Sequence, residues 1–538
     1  MFRKFGWLLT IAAVVAMLGE VLALQLPTLR WPFNTARQIS WQSIKGINLH
    51  EDSMFSNFVS DGKFPLGGWI FCLILLFAGI MLLRAFPAGV DVLPVVQRRI
   101  QRFKSVRRGY ISLMILLGLV LLASMDHLLV GKRALMVKYD GHLYFPALVR
   151  EQYKGGKFGD EGDAREAEAS YRNLKERFER EGGDNWVLMP LVPFDPTGDT
   201  VARPVVELKV KEGIVYDRDG KLYDGLASFM FPEKPQQEHI RFNYRKGIRQ
   251  GEVVGSTIDG KRVLTGEYLD GELEKYELTL DGTDLESFMG LSDGVLRKVY
   301  YHPAPPLPSQ GHLLGTNSSG NDILAYLFGG LQVNLKAAVI YVPIIYSIGV
   351  TIGLLMGLFG GIFDLVVQRI IEMFSNIPFL FVVIIFSGLA SAEEKGLGMI
   401  LGILILFGWM GMTYLMRTAA LREKARDYVA AARVSGASTP RIVFKHILPN
   451  TVAILVTLVP FSVSGIIMAL TSLDYLGFGL PESYATWGRL LNDGLSRLAS
   501  PWIVTSAFFM LVATLILVTF VGEAVRDAFD PKKFTTYK

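Results

Sequence analysis

Long apolar runs separated by polar connections make up both ends of the chain. A helix that crosses a bilayer needs about 20 predominantly apolar residues, because the hydrocarbon core is about 30 Å thick and a helix rises about 1.5 Å per residue. The runs that meet this length directly are residues 66–83, 110–130, 339–359, 396–416, 451–473 and 501–521. Residues 7–26 carry Glu20, and residues 377–390 are short unless that helix begins earlier. Counting both, we predict about eight spans.

The first apolar run has two interpretations. Arg3 and Lys4 precede it, as in a secretory signal peptide. No clear A-x-A cleavage site follows, and the run is long for the apolar part of a signal peptide. An uncleaved membrane anchor is therefore favoured.

Lys and Arg cluster in two of the polar connections, at residues 98–108 and 417–445. Connections rich in Lys and Arg stay in the cytoplasm. With about eight spans this rule places both termini in the cytoplasm. It also exports the large segment at residues 131–332, which follows the third span.

The exported segment has a different pattern of polar and apolar positions. Residues 134–148 alternate around Asp140 and Gly141, which predicts a hairpin, and the charged residues 163–181 predict a solvated helix. Beyond residue 200, short alternating pieces predict a small sheet. Its predicted turns lie at Gly220, Gly247, Gly260 and Gly271. We therefore predict an inserted α+β domain at residues 131–300.

A Pro-rich linker and a membrane-entrance segment follow at residues 301–332. His302 and His312 flank the prolines, and lone histidines in such a linker are expected to be exposed to solvent. The membrane core is expected at residues 333–526, after three N-terminal spans at 1–130, and a cytoplasmic tail at 527–538.

Composition supports a membrane protein and argues against several other classes. Hydrophobic residues make up 51% of the chain and charged residues 20%. A net charge of +5 is small for this length and does not indicate a nucleic-acid partner. Cys72 is the only cysteine, so no intrachain disulfide forms.

Motifs for catalysis are missing from the sequence. The only Lys followed by Ser or Thr is Lys104, and nothing glycine-rich precedes it, so there is no phosphate loop. H-E-x-x-H, Cys/His metal spacings and a G-x-S-x-G elbow are absent as well. The sequence thus predicts a non-catalytic chain that binds no cofactor or metal.

One polar segment, DYVAAARVSGASTPRIVFKHILPN at residues 427–450, lies between two apolar runs. Three alanines at 430–432 favour a helix, and Gly436 ends it. Ser438, Thr439 and Pro440 form the next start signal, which predicts a second short helix at 441–448. Its small residues would let another helix approach closely, and its basic residues would contact that partner at the rim.

This segment resembles the EAA coupling loop of ABC-transporter import permeases, whose pattern is E-A-A-x(3)-G-x(9)-I-x-L-P. Gly436, Leu448 and Pro449 match the pattern, Ala430 replaces the usual Glu, and His446 occupies the Ile position. The residues that the resemblance assigns to ATPase coupling are Ala430, Ala431, Ala432, Arg433, Gly436, Arg441, His446, Leu448 and Pro449.

Two further stretches resemble motifs of the dipeptide and oligopeptide branch. HLLGTNSSGNDILAYLFGG, at residues 312–330, is similar to its L-G-T-D-x-x-G-R-D-V-L motif, with Asn317 for Asp and Asn321 for Arg. ALTSLDYLGFGLPESYATWGRLL, at 469–491, and VKYDGHLYFP, at 137–146, are most similar to Yej-type permeases of microcin C and oligopeptide importers. The residues that match are Gly315, Thr316, Asp322, Asp474, Gly477, Gly479, Pro481 and Trp487.

The resemblance implies an all-α polytopic inner-membrane protein with a type I ABC importer core. It implies a second permease subunit, separate ATPase subunits that bind ATP and magnesium, a periplasmic peptide-binding protein, and membrane lipid around the spans. A secondary transporter driven by an ion gradient is the alternative. It predicts ionisable residues near the middle of the core helices, whereas residues 339–359, 451–473 and 501–521 contain none. An exported sensor on an anchor needs only one or two spans.

Overall fold

The computed structural model describes residues 2–21, 66–85, 94–125, 128–149, 152–160, 162–198, 206–211, 213–217, 220–233, 238–259, 261–280, 284–298, 303–306, 311–389 and 396–529. These residues form two compact units. The membrane unit comprises Met1–Thr197, Ala325–Asn492 and Ala507–Lys538. The insert unit comprises Gly198–Leu324 and Asp493–Ser506.

Up to residue 124, the described residues form four helices. Their bounds are Phe2–Val21 (α1), Leu66–Ala85 (α2), Pro94–Ser105 (α3) and Arg107–Ser124 (α4). α1 and α2 pack closely, because Gly6 and Gly79 bring the two backbones together beside Thr10. α3 carries the basic residues that the sequence places in the cytoplasm, and α4 is apolar enough to cross a membrane.

The second half of the membrane unit is a helical core. Its helices are Ile323–Phe359 (α7), Gly361–Ser375 (α8), Phe379–Leu389 (α9), Leu397–Lys424 (α10), Asp427–Val434 (α11), Thr439–Arg441 (α12), Leu448–Tyr475 (α13), Trp487–Ser496 (α14) and Pro501–Phe529 (α15). Within the described residues, five helices are long and apolar enough to span a membrane. α8 and α9 form a sixth span if they count as one, although they meet at a bend of 69°.

These spans confirm the predicted polytopic helical fold with an inserted sheet-containing region. The weak run at 377–390 contains α9, which begins only at Phe379; α8 precedes it as a separate helix across the bend of 69°. The first two predicted spans are the 20-residue helices α1 and α2, whose side chains are described only in part. A total of about eight spans therefore stays a prediction.

A small α/β module follows α4 and belongs to the membrane unit. Its strands are Met136–Tyr139 (β1), His142–Tyr144 (β2) and Trp186–Leu188 (β3), paired antiparallel in the order β2-β1-β3, and its helix is Tyr171–Glu181 (α5). Asp140 and Gly141 both have positive φ and form the predicted hairpin turn. α5 confirms only the second half of the charged helix predicted at 163–181.

The module buries one face of its sheet against aromatic residues. Val137 and Val187 on the inner face pack with Phe158, Leu174 and Phe178. Arg177 binds this core at its rim, because its guanidinium donates to Asp160 Oδ1 at 2.8 Å. The module therefore has a hydrophobic core of its own.

The insert unit contains a seven-stranded antiparallel sheet in the order β11-β10-β9-β8-β7-β12-β4. Its elements, with a separate β5–β6 pair, are Val206–Glu207 (β4), Lys209–Lys211 (β5), Ile214–Tyr216 (β6), Gly225–Met230 (β7), Glu238–Arg245 (β8), Ile248–Ser256 (β9), Arg262–Leu269 (β10), Glu272–Leu278 (β11), Leu285–Met289 (α6) and Arg297–Lys298 (β12). The predicted turns at Gly220, Gly247 and Gly271 are confirmed, and Gly260 lies outside the described residues.

A histidine is buried in this insert core. The His239 ring on β8 lies between the rings of Phe231 and Phe288, at centroid distances of 4.4 and 4.5 Å. Its Nδ1 is 2.8 Å from Ser292 Oγ, whereas its buried Nε2 has no hydrogen-bond partner. Burial among apolar rings lowers the pKa of His239 from 6.5 to about 4, because the charged form would lose its hydration.

Acid is expected to destabilise the insert through this residue. Above pH 6.5 the ring is neutral in both states, and between 6.5 and 4 the unfolded chain alone binds a proton, so stability falls as pH falls. The loss reaches about 3 kcal/mol near pH 4. Hydrogen exchange of β8, compared between the wild type and His239→Leu at each pH, measures it. His142→Leu, at an exposed position of β2, should keep the wild-type pH dependence, and an unchanged dependence in His239→Leu would contradict the assignment.

Candidate functional site

The coupling segment, Asp427–Asn450, begins with the short helix α11. This helix ends at a left-handed glycine, because Gly436 has φ of +75°. The Ala437 N–H donates to the Ala432 carbonyl and the Gly436 N–H donates to the Arg433 carbonyl, both at 3.0 Å. This pair of hydrogen bonds is a Schellman motif, in which a residue with a Cβ would be strained at the glycine position. The predicted helix end at Gly436 is confirmed.

The second half of the segment differs from the predicted separate helix at 441–448. α12 continues through a π-helical stretch, Ile442–Ile447, directly into α13, so residues Thr439–Tyr475 form one helix. Pro449 explains the wide turn, because proline donates no hydrogen bond and its ring crowds the carbonyl one turn earlier. The end of the coupling segment is therefore continuous with a membrane span.

Apolar side chains fix the segment to the rest of the membrane unit. Val429, Ile442, Val443 and Ile447 are buried in one cluster. The cluster includes Leu354 and Leu358 of α7 and Met412, Met416 and Ala420 of α10. The segment is thus packed closely against α7 and α10 and is continuous with α13.

A polar network adds to this attachment. The Tyr428 hydroxyl donates to Glu423 Oε2 at 2.8 Å, and Asn450 Nδ2 donates to the Tyr428 hydroxyl at 3.1 Å and to the His446 carbonyl at 2.7 Å. Burial raises the pKa of Tyr428, which keeps the hydroxyl protonated. The network joins the end of α10, the start of α11 and the start of α13.

The opposite face of the segment is exposed and mixes small, basic and apolar side chains. Ala430, Ala431, Arg433, Gly436, Arg441 and Pro449 are exposed, while Ala432, His446 and Leu448 are half-buried. Sequence reasoning missed Val434 and Phe444, whose residues are 91% and 66% exposed. The only indication of their exposure in the sequence is that these two apolar residues lie in a basic segment. We call the surface of Ala431, Val434, Gly436 and Phe444 the docking face.

An ion pair supports the region where α10 approaches the coupling segment. Arg417 donates through Nε to Asp364 Oδ1 at 2.5 Å and through a terminal nitrogen to Asp364 Oδ2 at 2.7 Å. The aspartate side chain is 12% exposed. This two-point geometry joins the start of α8 to α10, although the residues are 53 positions apart in sequence.

The motif residues around Asp474 build a rigid loop between α13 and α14. Gly477 has φ of +82°, its N–H donates to the Asp474 carbonyl at 3.2 Å, and the Phe478 N–H donates to the Leu473 carbonyl at 3.0 Å. Asp474 Oδ1 accepts from the Leu480 N–H at 2.7 Å, and Gly479 leaves the space that this carboxylate occupies. Asp474 therefore acts as a structural cap.

Arg489 and Trp487 close the same loop from the side of α14. The Arg489 guanidinium donates to the carbonyls of Leu480, Pro481 and Tyr484. The buried Trp487 ring donates through Nε1 to the Leu327 carbonyl at 2.9 Å. Sequence reasoning missed Arg489, although it directly follows the Trp-Gly pair of the motif.

Gly315, Thr316 and Asp322 belong to the insert unit, and the other matched motif residues belong to the membrane unit. The buried Thr316 pairs with Ala304 through its N–H and its hydroxyl, at 2.8 and 2.7 Å. His312 was expected to be exposed and this is wrong: it is buried, with Nδ1 2.9 Å from Asp322 Oδ2. Its partner comes ten residues later, on the far side of the turn at Gly315.

A cleft of about 300 Å³ lies between α7, α10 and α13. Apolar side chains line most of it, and Tyr341 and Ser462 are its polar groups. Gly408 and Gly465 also line it, and their missing side chains leave backbone at the surface. In the part of the chain that the structure describes, no group of three or more His, Cys, Asp or Glu side chains is arranged to hold a metal ion.

The amino-acid sequence is similar to those of known transport proteins. Residues 349–535 match the family model described as binding-protein-dependent transport system inner membrane component. The inner membrane ABC transporter permease protein YejE of Escherichia coli K12 is 30% identical over 442 residues, which cover 82% of this chain and 98% of that protein. The peptidoglycan transport system permease protein YejE of Agrobacterium fabrum is 29% identical, covering 84% and 98%. The oligopeptide transport system permease protein OppC of E. coli K12 is 35% identical over 230 residues, 43% of this chain and 75% of that protein.

Proposed function

Because the chain belongs to the family of ABC import permeases of binding-protein-dependent transport systems, we propose that it is one of two membrane subunits that import peptides or peptide-like compounds. Permeases of this family are multi-pass inner-membrane proteins without catalytic activity. ATP hydrolysis is carried by separate subunits. The relatives named for oligopeptide and peptidoglycan transport support the proposed substrate class, since both kinds of substrate contain short peptides.

The docking face carries the proposal. It presents two strongly exposed apolar side chains, Val434 and Phe444, beside a glycine and an alanine that leave the backbone accessible. Arg433, Arg441 and Lys445 are exposed in the same segment. A small apolar face with a basic rim suits a groove on a protein partner, because apolar contacts provide affinity and rim charges provide orientation. We assign this partner as the ATPase subunit, which binds ATP and magnesium.

The attachment of the segment supports a role in transmitting motion. The docking face is opposite the apolar cluster that packs on α7 and α10. The second half of the coupling segment continues as α13. An ATPase that binds one conformation of the permease more tightly than another shifts the permease toward that conformation. Equal affinity for both conformations would shift nothing.

The cleft between α7, α10 and α13 is our candidate for part of the peptide path. The hydroxyl groups of Tyr341 and Ser462 suit the peptide groups of any sequence, because they form hydrogen bonds without selecting a charge. The second permease subunit would complete the path, and a periplasmic peptide-binding protein would deliver the peptide.

Transport in a reconstituted system tests the function. Proteoliposomes with both permeases, the ATPase subunits and the binding protein should accumulate a labelled peptide only when ATP and binding protein are present. A protonophore should not change this uptake. Uptake that continues without ATP and stops with the protonophore would establish the ion-gradient alternative instead.

Both termini are proposed to lie in the cytoplasm, with the insert in the periplasm, on the basis of the two basic connections. A reporter fused after Arg102 or Arg433 should give a cytoplasmic signal, and one fused at Gly260 a periplasmic signal. A cytoplasmic signal at Gly260 together with cytoplasmic signals at the other two sites would show that one N-terminal span is miscounted.

A further inference from the structure

The outer face of the sheet in the α/β module carries almost no polar side chains. Side chains alternate across a strand, and Val137 and Val187 occupy the inner face. Lys138 is directly opposite both Leu143 and Trp186, and Met136 is directly opposite Leu188, so these residues share the outer face. An antiparallel sheet with one solvated face normally places polar residues there.

Three of these apolar residues are well exposed. Leu143 is 53%, Trp186 41% and Leu188 50% exposed. Lys138 is the polar member of the group, and its ammonium lies 2.5 Å from Asp184 Oδ2 at the end of the sheet. Leu191, which follows β3, is 82% exposed and extends the apolar surface. Four exposed apolar residues are thus grouped on and beside one sheet face, where polar residues are expected.

Hydrogen bonds place this surface near the outer ends of two membrane spans. Leu191 adjoins Val192, whose N–H donates to the Leu129 carbonyl at 2.8 Å and whose carbonyl accepts from the Gly131 N–H at 3.0 Å. Leu129 is only five residues after the last residue of α4, Ser124. Five extended residues cover at most about 18 Å. Adding about 5 Å across the Leu129–Val192 pair and about 4 Å to the next residue, Leu191 lies within roughly 27 Å of the end of a span.

The other end of the module returns to α7. A Cβ on Gly329 would lie 3.0 Å from Pro196, so the chain after β3 packs on the first turns of that helix. α4 and α7 are themselves joined, because Gln332 Nε2 donates to the Ala123 carbonyl at 2.9 Å. Both ends of the module are thus attached where the spans leave the hydrocarbon.

The size and chemistry of the surface favour lipid over a protein partner. Three strands about 4.8 Å apart, with two rows of side chains, cover about 150 Å². A stable protein partner buries about 800 Å² on each side. Trp and Lys together with Leu are the residues typical of the region between lipid headgroups and acyl chains. We propose that this sheet face rests in the headgroup region of the outer leaflet and fixes the module to the membrane surface.

Lipid proximity of single labelled positions tests this proposal. The full-length permease, with Cys72→Ser as background, would be labelled with bimane at Leu188→Cys or Leu143→Cys, in nanodiscs of phosphatidylethanolamine and phosphatidylglycerol. Glu176→Cys is the matched control, because it is exposed on α5, which packs on the opposite face of the sheet. Nitroxide lipids labelled near the headgroup should quench positions 188 and 143 at least about threefold more than position 176.

Two labelled positions on the same face are used so that the test still gives a result if one variant misfolds. Size-exclusion profiles identify a misfolded variant. Quenching at 188 and 143 no greater than at 176 would overturn the proposal. Protection of position 188 from aqueous iodide only after the periplasmic binding protein is added would also overturn it, in favour of a protein partner. The assignment to the outer leaflet rests on the proposed orientation, but transport activity does not enter the measurement, so failure of lipid contact is distinguishable from failure of the proposed function.

Discussion

Replacing Val434 by Asp is expected to abolish peptide uptake while the permease remains folded and inserted. The side chain is 91% exposed, so the substitution should cost the isolated permease almost no stability. In the complex, a carboxylate would be buried in an apolar groove without a partner. Loss of an interface anchor costs about 2–4 kcal/mol, which weakens ATPase binding by about 30- to 1,000-fold. Co-purification of the ATPase in detergent and peptide uptake by cells measure the two effects.

The control for this variant is Val210→Asp, at a valine that is 53% exposed on β5 of the insert. It should leave ATPase binding and uptake at wild-type levels. Ala431→Asp is expected to act like Val434→Asp, because Ala431 lies on the same exposed surface. Gly436→Trp should also abolish uptake, but it strains a left-handed position as well. Normal ATPase binding by both Val434→Asp and Ala431→Asp would contradict the docking assignment.

Replacing Asp364 by Leu is expected to destabilise the membrane unit by about 3–5 kcal/mol, because it leaves the Arg417 guanidinium largely buried without its partner. The double variant Asp364→Leu with Arg417→Met should recover much of this loss, since it removes both charges and keeps the volume. Thermal unfolding in detergent and the abundance of the protein in the membrane measure the change.

Glu372→Gln provides the matched control on the same helix. Glu372 pairs with Arg369 at 2.5 Å, but the two side chains are 37% and 75% exposed. An exposed pair contributes at most about 1 kcal/mol, so this variant should unfold close to the wild type. Equal destabilisation by Asp364→Leu and Glu372→Gln would mean that the buried pair has no special role.

The ion pair also bears on the alternative of a secondary transporter. Asp364 is an acidic residue at the start of the bent pair α8–α9, a place where a coupling ion could bind. Its two oxygens are both occupied by Arg417. The guanidinium neutralises the charge of this carboxylate, so Asp364 supports the structure of the helix bundle and is a poor ligand for a coupling cation.

Local patterns in the sequence determined the elements of this protein. Runs of about 20 apolar residues are sufficient to predict membrane helices, because a helix satisfies its own backbone in lipid. The Asp140-Gly141 turn and the helix end at Gly436 follow from positive φ, which glycine tolerates without strain. These features depend on neighbouring residues alone, and the structure confirms each of them.

Tertiary structure decided which side chains meet and which remain exposed. Asp364 and Arg417 are 53 residues apart, and no local pattern indicates that they pair. The bend between α8 and α9 is likewise seen only in the tertiary structure. His312 is buried because a turn brings the Asp322 carboxylate to the His312 ring. The Pro-rich sequence before His312 gave no indication of this contact. Val434 and Phe444 have the composition of core residues, and they lie outside because Val429, Ile442 and Ile447 already fill the space against α7 and α10. Burial is a property of packing between distant segments, so the apolar runs alone indicated the membrane helices, whereas only packing determined which residues form the docking face.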